Sequence, residues 1–171
     1  MRPLMKFAMA AILVSAATTA TAAERISIRD YCDASDPAWA PTGGCVLKDG
    51  DVTVAEFNAL LTSVLSSAVV GHPAWRFQPS FTEIEPGDAI RVSNDGGRPH
   101  TFTEVARFGG GMVPPLNKGL IEAPECAAST VIPPGQRTVI RGLAQGEHLF
   151  QCCIHPWMRE MVKVVEREDD R

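Results

Sequence analysis

The chain has 171 residues, with 16 basic and 20 acidic side chains and a formal net charge of −4. That length suits one domain with an appendage, and it is enough to bury a sound core. The acidic balance argues against nucleic acid as a partner, because phosphates demand a basic face, and it permits electrostatic steering toward a basic protein.

Residues 1–22 read as an export signal. Arg2 and Lys6 are basic, Phe7 to Ala17 is a short apolar stretch, and Ala20-Thr21-Ala22 supplies a small-residue cleavage site. The apolar run is about half of the roughly 20 residues that a spanning helix needs, so no stable membrane insertion is expected after cleavage. No cysteine follows closely enough for lipid attachment. The expected product starts at Ala23 or Glu24, is soluble, and resides in a bacterial periplasm. Losing Arg2 and Lys6 leaves 14 basic against 20 acidic side chains, a formal balance of −6.

Residues 23–71 form an expected N-terminal extension. It opens with Tyr31-Cys32-Asp33 and Pro41-Thr42-Gly43-Gly44-Cys45, a Pro/Gly-rich loop that a local disulfide can hold. Thr53 and Glu56 then make a capping box, and Phe57, Leu60, Leu61, Val64 and Leu65 follow at helical spacing. This predicts a short amphipathic helix over about 54–66, its apolar stripe packed on the domain that follows. Asp49-Gly50-Asp51 through Glu56 imitates the second half of a calcium loop. Counting back from Glu56 puts Cys45 and Leu47 where calcium needs oxygen ligands, so calcium is not expected.

From residue 72 to 167 the pattern changes to short strands with turn punctuation, the signature of an all-β Greek-key sandwich. Strands are expected at 82–85 and 89–93 around Pro86-Gly87-Asp88, and at 130–132 and 138–141 around Pro133-Pro134-Gly135. Two more are expected at 147–152 and 161–165, before a charged tail at 168–171. Asn94-Asp95-Gly96-Gly97 breaks the second strand, so Pro99-His100 opens a new one at one end of the sandwich. The stretch from Gly109 to Cys126 is a long connection, which functional loops often are.

Chemistry concentrates in Cys152-Cys153-Ile154-His155-Pro156-Trp157-Met158 and in His100 upstream. A thiolate, two imidazoles and a weak thioether suit copper in a trigonal electron-transfer geometry. Five cysteines in an oxidising compartment leave one over, and a metal ligand accounts for it. Successive side chains on a strand point to opposite faces, so Cys152 and Cys153 cannot both turn toward one buried metal. Adjacent cysteines also fail the spacing that a binuclear copper centre needs.

Cys152-x-x-His155-x-x-Met158 after a strand, with Arg98-Pro99-His100-Thr101 upstream, resembles the copper segments of cupredoxins, the plastocyanin- and amicyanin-like blue copper proteins. The resemblance covers roughly residues 72–167. It implies a single mononuclear type 1 copper held by His100, Cys152, His155 and Met158, with Cys152 as the thiolate because its gap to His155 matches the family's spacing. The other four cysteines then allow three connectivities, of which Cys32 with Cys45 and Cys126 with Cys153 is favoured. The implied function is one-electron transfer rather than enzymatic turnover. The implied partners are redox proteins such as a cytochrome or a copper enzyme, docking on an apolar patch near His155 and Trp157. A periplasmic copper-binding or copper-delivery protein is the alternative. An enzyme with a second copper site ranks last, since only His72 and His148 remain to build one. His148 is assigned to packing and His72 is unassigned. Thr101 departs from the pattern, since Asn often follows the upstream His in the family. That change leaves the stiffness of its link to the cysteine, and so the reduction potential, open.

Overall fold

The computed structural model describes residues 23–42, 47–62 and 75–166. The expected leader, Cys45, the helix end at 63–66, His72 and the 168–171 tail lie outside the described residues. Two four-stranded mixed sheets face one another. The first contains β1 (Ala23–Arg29), β4 (Arg76–Gln78), β6 (Ala89–Asn94) and β10 (Arg137–Ile140), in the order β10-β6-β1-β4. The second contains β5 (Phe81–Ile84), β8 (Thr103–Val105), β11 (Gly146–Gln151) and β12 (Arg159–Val164), in the order β5-β12-β11-β8. Two small pairs complete the sheets: β2 (Tyr31–Asp33) runs parallel to β3 (Leu47–Gly50), and β7 (His100–Thr101) runs antiparallel to β9 (Val131–Ile132).

The turns sit where the sequence predicts. The Asp88 N–H donates to the Glu85 carbonyl at 3.1 Å, and Gln136 N–H donates to Pro133 at 3.0 Å. Strand edges fall within one or two residues of expectation. Consecutive strands mostly pass from one sheet to the other, as Greek-key sandwiches do and meanders do not. Ile26, Ile28, Phe77, Ile90 and Val92 of the first sheet meet Ile84, Phe150, Val162 and Val164 of the second in one buried cluster. Phe102 bridges them, stacked on Phe150 at 4.4 Å and edge-on to Phe77 at 5.0 Å.

Strand β1 has no counterpart among the expected strands. Ile26 and Ile28 alternate with Arg25, Ser27 and Arg29, the period-two pattern of a half-buried strand. It runs parallel to β6 and antiparallel to β4, so it is an interior strand of its sheet. Both isoleucines are fully buried, each contributing about 1.5–3 kcal/mol. The segment expected as an extension therefore completes the sandwich.

The helix α1 (Val54–Thr62) begins as predicted. The Thr53 N–H donates to Glu56 Oε2 at 2.7 Å, and Glu56 N–H donates to Thr53 Oγ1 at 3.2 Å, closing the capping box. Asp36 Oδ2 accepts a further N–H from Val54 at 2.9 Å. Leu60 is buried, and Val54, Phe57 and Leu61 pack against the core cluster. No helix among the described residues is long and apolar enough to cross a membrane.

Candidate metal centre

Two loops meet at one end of the sandwich. Asn94, fully buried, shapes the first: its Nδ2 donates to the Arg98 and Ile132 carbonyls, each at 2.8 Å, and its Oδ1 accepts the Gly96 N–H at 3.0 Å. This tight turn after β6 aims His100 inward, where β7 pairs it with Ile132. Strand β11 delivers Cys152 directly after Gln151. The second loop then folds back on itself, with Met158 N–H donating to the His155 carbonyl at 2.9 Å and Cys152 N–H to the Met158 carbonyl at 3.0 Å.

The three expected strong donors converge. His100 Nδ1 lies 3.6 Å from Cys152 Sγ, His155 Nδ1 lies 3.7 Å from it, and the two imidazole nitrogens are 3.0 Å apart. A single ion at ordinary bond lengths of roughly 2.0–2.3 Å needs edges of about 3.0–3.8 Å for angles between about 97° and 120°. Among the described residues, His100, Cys152 and His155 are the one group of His, Cys, Asp or Glu with donor atoms gathered this closely. Met158 is fully buried in the same loop. Soft sulfur with two imidazoles is the donor set copper favours.

Among the described residues Cys152 is the free cysteine, and Cys153 points the other way into a disulfide with Cys126. The 27-residue separation gives that crosslink about 3.5 kcal/mol of chain-entropy stabilisation. It anchors the chain just after β11 from behind, in a small second core with Val105, Phe108 and Ala123. The long connection that carries Cys126 approaches so closely that a Cβ on Gly111 would lie 2.1 Å from the Cys153 carbonyl oxygen. Met112 N–H donates to that same oxygen at 2.7 Å. Cys32 is also disulfide-bonded.

The thiol sits in a field that favours its anion. Burial pushes the Cys152 thiol up, but His100 and His155 outweigh that and hold it well below its ordinary range. Burial pushes His100 down, but Asp30 and Cys152 reverse this and raise it to about 9. The backbone N–H groups of Thr101 and His155 both approach Cys152 Sγ at 3.4 Å. Thr101 also reaches across the site: its hydroxyl accepts the Cys153 N–H at 2.7 Å. Threonine therefore ties the two loops together with its own side chain.

His148 is held apart from the centre. Its Nδ1 meets Glu104 Oε1 at 2.6 Å and its Nε2 donates to the Ala144 carbonyl at 2.8 Å. It makes a polar contact between β8 and β11 at the rim.

Two features had no signal in the sequence. Asp30, at the β1–β2 junction, places its carboxylate against His100 Nε2. Trp75 stands edge-on to His155, with ring centres 5.0 Å apart at 89°, and edge-on to His100 at 6.2 Å. Its indole N–H donates to the Tyr31 carbonyl at 3.1 Å. Phe57 of α1 packs on Trp75 at 4.6 Å, and Trp39 packs on Phe57 at 5.4 Å. His155 is consequently only 9 % exposed and Trp157 only 4 %. The expected surface patch is roofed by Trp75, with Phe57 of α1 and Trp39 packed behind it, because the apolar stripe of α1 covers that end of the sandwich.

No protein-family profile matches the chain, and no curated protein matches it. Solved structures do resemble it. A purple cupredoxin from Nitrosopumilus maritimus is 18 % identical with a TM-score of 0.43, the match covering 83 % of this chain and 99 % of that one. A pseudoazurin from Hyphomicrobium denitrificans is 16 % identical with a TM-score of 0.42, covering 85 % of this chain and 77 % of the other. A reduced amicyanin variant is 20 % identical with a TM-score of 0.37, covering 53 % and 73 %. These are likenesses of fold alone.

Proposed function

We propose that this protein is a cupredoxin-like carrier of single electrons, with one mononuclear copper held by His100 Nδ1, Cys152 Sγ and His155 Nδ1 and the Met158 thioether as a weak axial ligand. The observation that carries the reading is the convergence of those three donor atoms within 3.0–3.7 Å of one another in a buried pocket. Bound copper supplies the Cu(II)/Cu(I) couple.

The protein's own part is to hold the donors still. Two backbone N–H groups steady the thiolate, as carriers need, since hydrogen bonds to a ligating sulfur tune its donation. The Thr101 hydroxyl, the Cys126–Cys153 disulfide and the Met158–His155 backbone bond fix the two loops against each other. A frame pinned at so many points has one arrangement for both oxidation states. The burial of all three strong ligands favours a retained metal over one passed on, and so a carrier over a copper-delivery protein.

In this reading residues 1–22 direct export to the periplasm, 23–71 supply an interior strand and, together with Trp75, the roof, and 72–167 hold the metal, ahead of the tail at 168–171. A redox partner with a basic surface docks above His155 and Trp157, where Trp75 and Phe57 lie between it and the metal. Electrostatic steering by the acidic chain speeds that encounter, and a small interface allows quick release.

The reading is tested by cycling the protein loaded with one equivalent of copper. Ascorbate reduction followed by oxidised cytochrome c is expected to transfer one electron per copper, with all copper still bound. Copper that moves to a chelator on reduction, with no electron passed to the cytochrome, contradicts a carrier and supports delivery.

A further inference from the structure

We propose that Asp30 is a positioning residue for the metal ligand His100, fixing its tautomer and lowering the reduction potential of the copper site. The inference rests on the copper reading above and assigns a role to a residue outside the segments that resemble cupredoxins.

Asp30 is 4 % exposed and lies between β1 and β2. Its Oδ2 accepts the N–H of Gly97 at 2.9 Å and of Arg98 at 2.7 Å, while Oδ1 is in short contact with His100 Nε2. One carboxylate thus serves three donors, and an ionised carboxylate, being acceptor-only with several lone-pair positions, can take all three. With Nε2–H committed to Asp30, the neutral ring keeps its lone pair on Nδ1. That is the nitrogen facing Cys152 Sγ and His155 Nδ1. The anion also raises the donor strength of the ring, as carboxylate–histidine–metal arrangements do, and favours the more highly charged Cu(II).

The surroundings are shaped for this contact. A Cβ on Gly96 would lie 2.7 Å from Asp30 Cγ and 2.8 Å from its oxygens, so glycine leaves the carboxylate its room. The Asp95 N–H donates to the Ile28 carbonyl at 3.0 Å, and Ser27 Oγ is in short contact with Asp95. The end of β1 is therefore bound to the same turn that presents His100. Asparagine cannot replace Asp30 in full. If its oxygen faces the two backbone donors, its amide N–H₂ confronts Nε2 and demands the wrong tautomer. Turned over, it sets its own donors against two N–H groups.

The test compares wild type, Asp30→Asn and Gly96→Ala, by competition titration with Cu(II) and with Cu(I), by reduction potential, and by urea unfolding of the metal-free proteins. Asp30→Asn is expected to lose 10- to 100-fold in Cu(II) affinity and less in Cu(I) affinity, as second-sphere partners of ligating histidines typically do. Each tenfold difference between the two losses raises the potential by about 59 mV. Gly96→Ala displaces the carboxylate without removing its charge, so it shifts the potential the same way by less, and it decides the matter if Asp30→Asn fails to fold. Variants that are less stable without metal yet keep the wild-type potential overturn the inference and leave the copper reading standing. A wild type that takes up no copper overturns both.

Discussion

Replacing Glu160 with glutamine is expected to stabilise the metal-free protein by about 3 kcal/mol at pH 7. Glu160 is fully buried on β12, opposite Phe150. Its Oε1 accepts the Thr82 hydroxyl at 2.7 Å, and its Oε2 has no partner. Burial pushes the carboxyl up to about 8 from an ordinary 4.5, with the Thr82 hydrogen bond pulling partly the other way. The unfolded chain therefore ionises this group from pH 4.5 upward, while the fold keeps it protonated until about pH 8. Each pH unit between those limits costs the fold about 1.4 kcal/mol, or about 3 kcal/mol by pH 7. Glutamine is neutral throughout and leaves one buried donor unpaired, much as the protonated acid does. Urea unfolding of the two metal-free proteins at pH 4, 5.5 and 7 measures the gap. It should be near zero at pH 4, about 1.4 kcal/mol at pH 5.5 and about 3 kcal/mol at pH 7. His100 and Cys152 titrate alike in both proteins and cancel in the comparison. A gap that does not change with pH refutes the reasoning.

Two further outcomes follow from the centre itself. Trp75→Ala removes the ring between Phe57 and the two imidazoles. It is expected to cost about 3–5 kcal/mol of stability and to speed oxidation of the copper-loaded, reduced protein by ferricyanide in stopped flow; an unchanged rate denies Trp75 its covering role. In the metal-free protein His100 holds its proton up to about pH 9, against 6.5 for the unfolded chain. Its contribution to metal-free stability is thus complete below pH 6.5 and lost as pH rises through 9, and the same proton competes with metal. Cu(II) affinity measured against a chelator should climb through pH 7 and 8 and flatten above 9, whereas a flat profile contradicts the pairing.

The His100, Cys152 and His155 cluster was legible because local spacing carries it: Cys152 and His155 lie in one loop, and His100 follows a Gly-rich strand break. That Cys153 turns away from Cys152 was legible from the alternation of a strand, whereas its pairing with Cys126 was only the favoured one of three connectivities until the fold brought the two together. Asp30 was not, because it lies 70 residues before His100 and becomes its partner only through the register of β1 beside β6. Trp75 stood at the start of the expected copper domain with nothing local to mark it as a roof. The α1 stripe announced that it would pack, but which end of the sandwich it covers is a tertiary fact. Strand β1 is short and sits directly behind an apolar leader, so its alternation was absorbed into the description of an extension.

The most direct test of the central claim is the visible absorption spectrum of the protein with one equivalent of Cu(II), for wild type, Cys152→Ser and Cys153→Ser. The account predicts an intense red-absorbing thiolate-to-copper band in wild type, its loss in Cys152→Ser and its survival in Cys153→Ser. A band lost with Cys153→Ser and kept with Cys152→Ser, or no band in wild type, contradicts it.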